Sequence, residues 1–259
     1  MKIETKDLTC GYNKKRVVSD INFSVNSGEA LCILGKNGIG KTTLLKTLLK
    51  RLPAVSGKVL IEGKPISEYS SSEMANIMSY IPQSKDYSYN YNSVDIVLMG
   101  KANKYRFYSS PKKPDIKEAV DILDELGLAN LAYRNYSLLS GGEQQMILTA
   151  RAMIQNARFI LMDEPASNLD FNNQKQLIST IRLLKKRGVG ILMISHNPDH
   201  GLLCCEKTLM INSDGSSVFG DTEDLINKKN LFDTFGVDMN IFVTETSDGK
   251  KCRNCGMIL

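Results

Sequence analysis

Ala30-Leu31-Cys32-Ile33-Leu34-Gly35-Lys36-Asn37-Gly38-Ile39-Gly40-Lys41-Thr42-Thr43 is the stretch that decides how the chain folds. Its first five residues form an unbroken apolar run, suited to a strand covered on both faces. Gly35 to Thr42 then fit the pattern G-x-x-x-x-G-K-[ST], and Leu44, Leu45, Leu48 and Leu49 recur at helical spacing up to the limit set by Pro53. Strand, glycine-rich turn and helix in that order make a phosphate cradle. Glycines let the backbone wrap until its N–H groups converge on an anion, and the helix start adds the positive end of its dipole. Lys41 is placed to reach the β- and γ-phosphates of a nucleotide, and the Thr42 hydroxyl to ligate Mg²⁺.

Upstream, the alternation Val17-Val18-Ser19-Asp20-Ile21-Asn22-Phe23-Ser24-Val25 predicts an antiparallel sheet within residues 1–30. Downstream, 58–62 reads as a strand, and Ser79-Tyr80-Ile81-Pro82-Gln83 as a strand running into a loop. From residue 84 the character changes. Tyr87, Tyr89 and Tyr91 alternate in a polar stretch, helical patterns follow at 94–99 and 116–126, and a third helix is expected from Gly141 to about 156. No strand pattern interrupts this block, which predicts an inserted helical subdomain. The core resumes with the apolar run Arg158-Phe159-Ile160-Leu161-Met162, a helix at 172–186 and a strand at 189–194. Short strands at 208–211 and 217–219, helical pieces to 235 and a last strand at 241–245 complete the pattern. The expected organisation is one domain: an α/β core of 1–83 and 157–246, a helical subdomain of 84–156 and a tail of 247–259.

Composition agrees with a globular α/β chain. The 259 residues are 42% hydrophobic and 24% charged, and no apolar run approaches the roughly eighteen residues of a spanning helix. Met1-Lys2-Ile3-Glu4-Thr5-Lys6-Asp7 lacks the apolar core of a signal peptide, so the chain is expected to stay in the cytosol. The net charge of +5 is scattered over solvated faces and helix ends rather than gathered into a nucleic-acid groove. Cys10 and Cys32 lie in strand-like contexts as small buried hydrophobes. Cys252-Arg253-Asn254-Cys255 is a single pair in a polar tail, supplying two of the four ligands a structural zinc takes.

Two further motifs carry chemistry. Phe159-Ile160-Leu161-Met162-Asp163-Glu164 puts paired carboxylates at a strand's C-terminal end, where ligands of open α/β sheets bind. Asp163 would hold Mg²⁺, and Glu164 would polarise an attacking water. Leu139-Ser140-Gly141-Gly142-Glu143-Gln144-Gln145 is a second glycine-led helix start able to face an anion. One chain with two such starts about a hundred residues apart suggests a site completed by another copy.

With these residues in place, the chain resembles the ABC-type ATPases along nearly its whole length. The resemblance implies a P-loop NTPase (RecA-like) core with an antiparallel β subdomain and an inserted α-helical subdomain, binding ATP and Mg²⁺. Gly35, Asn37, Gly38, Ile39, Gly40, Lys41, Thr42 and Thr43 then belong to the Walker A loop, and Asp163 and Glu164 to Walker B. Gln83 resembles the glutamine that joins the Mg²⁺ shell and senses the permease. Ser167-Asn168-Leu169-Asp170 resembles the D-loop, and Ser195-His196 the switch histidine that contacts the γ-phosphate. Tyr12, after Gly11, resembles the aromatic residue that stacks on adenine. Ser140, Gly141 and Gly142 are the signature that reaches the nucleotide of a second copy. Ile39 stands where smaller residues are commoner, and Asn168 and Asn197-Pro198-Asp199 depart from the usual pattern. His200 is left as a surface residue.

Ser93-Val94-Asp95-Ile96-Val97-Leu98-Met99-Gly100-Lys101 and Ser72 to Gln83 are similar to segments of importers for iron-siderophores, haem and cobalamin, with molybdate systems related. That implies peripheral attachment at the cytoplasmic face of a membrane, integral permease subunits as partners and an extracytoplasmic solute-binding protein as an indirect one. The tyrosine-rich stretch, with Tyr105, Arg106, Phe107 and Tyr108, is then a permease-docking face rather than a stacking surface for single-stranded nucleic acid. The competing reading is a soluble ABC ATPase such as one of iron–sulfur cluster assembly.

Overall fold

Alternating apolar residues open the chain as an antiparallel pair, β1 (Lys2–Tyr12) and β2 (Lys15–Asn26), paired from Lys2 opposite Asn26 to Tyr12 opposite Lys15 with register shifts between Thr5 and Leu8, Leu8 and Cys10, and Cys10 and Gly11. The computed structural model describes residues 1–13, 15–83, 90–105, 110–167, 169–245, 249 and 251–257. β3 (Ala30–Gly35) is buried at every residue and passes through the glycine-rich turn into α1 (Lys41–Leu48). β4 (Ser56–Ile61) joins β1 on its other edge, with a two-residue β5 (Lys64–Pro65) beside it. α2 (Ser71–Ile77) begins at a capping box in which Ser70 and Glu73 satisfy each other's backbone N–H. It leads straight into β6 (Met78–Ile81).

Helices then follow without a strand element among the described residues: α3 (Ser93–Leu98), α4 (Lys113–Glu125) and α5 (Gly141–Ile154). The core resumes with β7 (Phe159–Asp163), α6 (Phe171–Lys186), β8 (Gly190–Ser195) and α7 (Pro198–Cys204). β9 (Lys207–Ile211), β10 (Ser217–Asp221), α8 (Thr222–Leu225), α9 (Lys228–Phe235), β11 (Met239–Glu245) and β12 (Lys251–Met257) complete it.

The central sheet has the order β10-β9-β3-β8-β7-β6, parallel except for the antiparallel edge strand β10. Its strands are covered on both faces, as their unbroken apolar runs require. Cys32, Leu34, Ile160, Met162 and Met193 point to the layer built by the helices, including α5 and α6. Leu31, Ile33, Phe159, Leu161 and Leu192 point the other way, to the leucines of α1 and the inner face of the β1–β2–β4 sheet. Burying a leucine or isoleucine contributes about 1.5–3 kcal/mol, so two such layers fix the sheet firmly. All parallel strands therefore end on one edge, and the segments leaving β3, β6, β7 and β8 meet there.

Two expectations need correction. Residues 251–257 are not a tail: β12 pairs antiparallel with β11, and Ile241 and Cys255 pack against the core. Lys-Cys-Arg-Asn-Cys-Gly-Met has little strand propensity of its own, so the pairing partner decides. Cys252 and Cys255, three apart on one strand, point to opposite faces and cannot converge on one ion. His200 is buried rather than on the surface. Tyr87, Tyr89, Arg106, Phe107, Tyr108 and Asn168 lie outside the described residues.

Candidate active site

The turn between β3 and α1 wraps around the Lys41 ammonium. Lys41 is only 5% exposed, and its Nζ donates to the carbonyls of Gly35 at 2.6 Å and Lys36 at 3.0 Å. Gly38 and Gly40 make the wrap feasible with φ of +80° and +111°, where a side chain is strained. α1 has no side-chain N-cap and no acidic residue in its first turn, so its leading N–H groups and dipole face the cleft without a competing charge. Burial holds the Lys41 pKa below its ordinary value, opposed by the nearby Glu164 and Asp163 carboxylates.

Asp163 closes the next strand but one, 4% exposed. Thr42 Oγ1 donates to its Oδ1 at 3.2 Å, and the Tyr80 hydroxyl to its Oδ2 at 3.3 Å. Burial pushes the Asp163 pKa up, against the pull of those two hydroxyls. Tyr80 is itself pushed up to about 12, by burial first and then by the Asp163 charge. Tyr80 was not singled out in the sequence, although it lies three residues before Gln83 on a strand that ends at the site.

Glu164 is the hub. It sits just past β7 at φ +46°, a backbone region non-glycine residues seldom occupy, and the Ser167 N–H and hydroxyl both donate to its carbonyl. Its Oε1 is 3.7 Å from Lys41 Nζ. Its Oε2 accepts from Gln83 Nε2 at 3.1 Å and lies 3.4 Å from His196 Nδ1. Strand order explains this convergence: β6 and β8 flank β7, so the residues leaving all three become neighbours. Gln83, Glu164 and His196 are 81 and 32 positions apart in sequence, and adjacency in the sheet unites them.

Lys41, Thr42, Gln83 and Glu164 line a cleft of about 410 Å³ with Tyr12, Asn37 and Thr43; Asp163 and His196 are not on its lining but contact Thr42 and Glu164, which are. Tyr12 is half exposed at its rim. Thr42 and Asp163 offer hard oxygen donors side by side, the donor set that suits Mg²⁺. The residues present thus fit a magnesium nucleotide.

Ser140, Gly141 and Gly142 are not on this cleft's lining. Ser140 caps α5 in a reciprocal box with Glu143, so the helix start is rigid, and Gly141 is exposed. A Cβ on Gly142 would collide with the Asn173 side chain of α6, so the two helix starts approach closely. Asp170 caps α6, accepting the Asn173 N–H at 2.8 Å, and also lies off the cleft.

A parallel sheet with a glycine-rich cradle between its β3 and α1 defines a P-loop nucleotide-binding domain. The chain belongs to the ABC transporter family, whose profile matches residues 18–167. It is 37% identical over 231 residues to an uncharacterised ABC transporter ATP-binding protein of Haemophilus influenzae, covering 89% of this chain and 88% of that one. It is 38% identical over 201 residues to a Helicobacter pylori protein described as a probable iron chelatin transport ATP-binding protein, covering 77% and 79%. A solved structure described as an inward-facing conformation of a metal-chelate type ABC transporter superposes with a TM-score of 0.88 at 29% identity, over 99% of this chain and 97% of that one. The chain is accordingly an ABC ATPase, with ATP hydrolysis coupled to transport.

Proposed function

We propose that the chain powers an importer of a metal chelate, working as two copies that close on Mg-ATP against separate permease subunits at the cytoplasmic face of the membrane. The observation that carries this reading is the division of the site. The cleft's lining carries the phosphate cradle, Thr42 and the Glu164 hub, while the second anion-binding helix start, at Ser140, is not part of it. A second copy, turned head to tail, would bring its Ser140, Gly141 and Gly142 to the open side of the phosphates, with Asp170 at the seam. Tyr12 would stack on the adenine.

Gly35, Asn37, Gly38, Ile39, Gly40 and Thr43 would present backbone N–H groups to the phosphates, and Lys41 its ammonium to the β- and γ-oxygens. Thr42, Asp163 and Gln83 would hold Mg²⁺, which would supply charge neutralisation at the phosphates. Glu164 takes the proton of the attacking water as its oxygen bonds to the γ-phosphorus and the bond from that phosphorus to the bridging oxygen breaks, giving ADP and phosphate. His196 donates a hydrogen bond to the γ-phosphate. Positioning and charge stabilisation supply most of the acceleration in such a reaction.

No described helix is long and apolar enough to cross a membrane, so the reading requires a separate permease. A groove of about 580 Å³, lined in part by Arg51, Met74, Pro82, Met99 and Gly100, lies between the core and the helices. Its lining includes Pro82, one residue before Gln83, so a permease element seated there would touch the segment that leads to the site. The choice of a metal chelate is supported by what the Helicobacter pylori relative and the superposed transporter are described as handling.

Affinity purification of the tagged chain from its native host in mild detergent tests this. A polytopic permease with a solute-binding lipoprotein is expected, and the lipoprotein's bound ligand identifies the cargo. Recovery of soluble partners alone, such as iron–sulfur assembly proteins, would contradict the transporter assignment and leave the nucleotide chemistry standing.

A further inference from the structure

His200 takes part in none of the contacts described so far, yet it is buried beside the turn that carries His196. β8 ends at Ser195, and α7 begins at Pro198 behind Asn197, whose side chain accepts the Asp199 N–H at 2.9 Å. Ser195 is 3% exposed and His200 9%. Ser195 Oγ lies 2.9 Å from His200 Nδ1, accepts the Asn197 N–H at 3.0 Å and is 3.1 Å from the Asn197 carbonyl oxygen. A hydroxyl carries one hydrogen and two lone pairs. With a proton on His200 Nδ1, all three contacts are made at once. The ring N–H and the Asn197 N–H donate to Oγ, and the Oγ hydrogen goes to the Asn197 carbonyl.

The His200 end of this loop is anchored in turn. Cys204 Sγ donates to the His200 carbonyl at 3.1 Å, and the Asp199 carboxylate accepts the Cys255 N–H from β12 at 2.7 Å. His196 lies inside the closed loop of residues 195–200. Its own side chain is 49% exposed and reaches Glu164 Oε2 at 3.4 Å. The direction in which it points is therefore set by its neighbours' hydrogen bonds. Leaving a buried partner of such a network unsatisfied is costly, so the loop holds one conformation.

We propose that His200 is a positioning residue for ATP hydrolysis: through Ser195 it fixes the turn that holds the His196 imidazole at the γ-phosphate end of the cleft. This rests on the role of His196 in the function proposed above. It also supplies a reason for the unusual Asn197-Pro198-Asp199 sequence, which caps and stiffens the start of the helix that carries His200.

Steady-state hydrolysis by the full chain tests it, with four single variants and one double. His200→Leu keeps the volume and removes the ring nitrogens, His200→Asn places an amide where Nδ1 stands, and Ser195→Ala removes a single hydroxyl. His200→Leu and Ser195→Ala are each expected to lose about ten-fold in kcat with KM for ATP within about two-fold of wild type. His200→Asn should recover to within about two-fold of wild type, and the Ser195→Ala/His200→Leu double should be no worse than either single, because both break one contact. Wild-type kcat in His200→Leu, an equal loss in His200→Asn, or losses that multiply in the double would each overturn the proposal. Should His200→Leu fail to fold, Ser195→Ala carries the same test by itself. His196→Ala separates the two levels. If it keeps wild-type turnover, the role of His196 fails, and with it any action through that residue. If it loses turnover while His200→Leu does not, the positioning role alone is wrong.

Discussion

Asp163 lies at the end of β7 with the Thr42 and Tyr80 hydroxyls on its two oxygens, and still its pKa stands above the ordinary carboxylate value because burial outweighs those donors. The sign of the consequence follows by linkage. A carboxyl whose folded pKa exceeds its unfolded one binds its proton more tightly when folded, so ionisation costs stability above the unfolded pKa. The cost disappears as pH falls through the unperturbed range near about 4. Asp163→Asn should therefore melt higher than wild type at neutral pH, with the gain shrinking towards that acid range, while Mg-dependent hydrolysis falls by about a hundred-fold or more. Calorimetric melts at pH 7 and pH 4 with parallel phosphate-release assays check this. A lower melting temperature for Asp163→Asn at pH 7 would contradict it. His200 shows the opposite limit of reading single residues: nothing near it in sequence signals burial, since its partner Ser195 lies across a turn.

Among elements, the glycine-rich turn was legible because all of its information is local. Pattern, preceding strand and following helix lie within twenty residues, and each glycine has a geometric reason. Gly40 has the strongest. At φ +111° a Cβ would lie 2.6 Å from Val17 Cγ1 and 2.8 Å from Val18 Cγ1, whereas at Gly38, with φ +80°, a Cβ meets nothing within 4 Å. Gly40→Ala should thus carry both backbone strain, about 1–3 kcal/mol, and a steric clash with β2, while Gly38→Ala carries strain alone. The expected order is a larger fall in melting temperature and a larger loss of ATP affinity for Gly40→Ala, measured by thermal melts and nucleotide titration; equal effects would show that the contact with β2 is unimportant. The box at Ser70 and Glu73 follows the equally local S-x-x-E spacing. Other elements are illegible for physical reasons. β12 has no pattern of its own and exists because β11 offers a partner and Asp199 an acceptor for the Cys255 N–H.

For the whole molecule, the sheet order is the feature that sequence order could not supply. The apolar runs indicated parallel strands buried on both faces, but not that β7 would lie between β6 and β8. That adjacency gathers Gln83, Glu164 and His196 into one cluster, which the resemblance to ABC-type ATPases implied and the apolar patterns alone did not. The same topology leaves Ser140, Gly141 and Gly142 off the cleft. The large residues beside them are unusually exposed, with Leu138 at 83% and Phe171 at 90%. Both facts agree with a site completed by a second copy. Gly141 offers a direct probe, because it is exposed and a Cβ there meets nothing within 4 Å, so an aspartate fits the single chain while placing a negative charge where the partner's phosphates would lie. The decisive measurement is sedimentation velocity of the full Glu164→Gln chain with and without Mg-ATP, repeated with Gly141→Asp added. Glu164→Gln is expected to be a dimer only with ATP, and a monomer that still binds ATP once Gly141→Asp is present. A chain that stays monomeric with ATP, or a dimer indifferent to nucleotide or to Gly141→Asp, would contradict a site completed by a second copy.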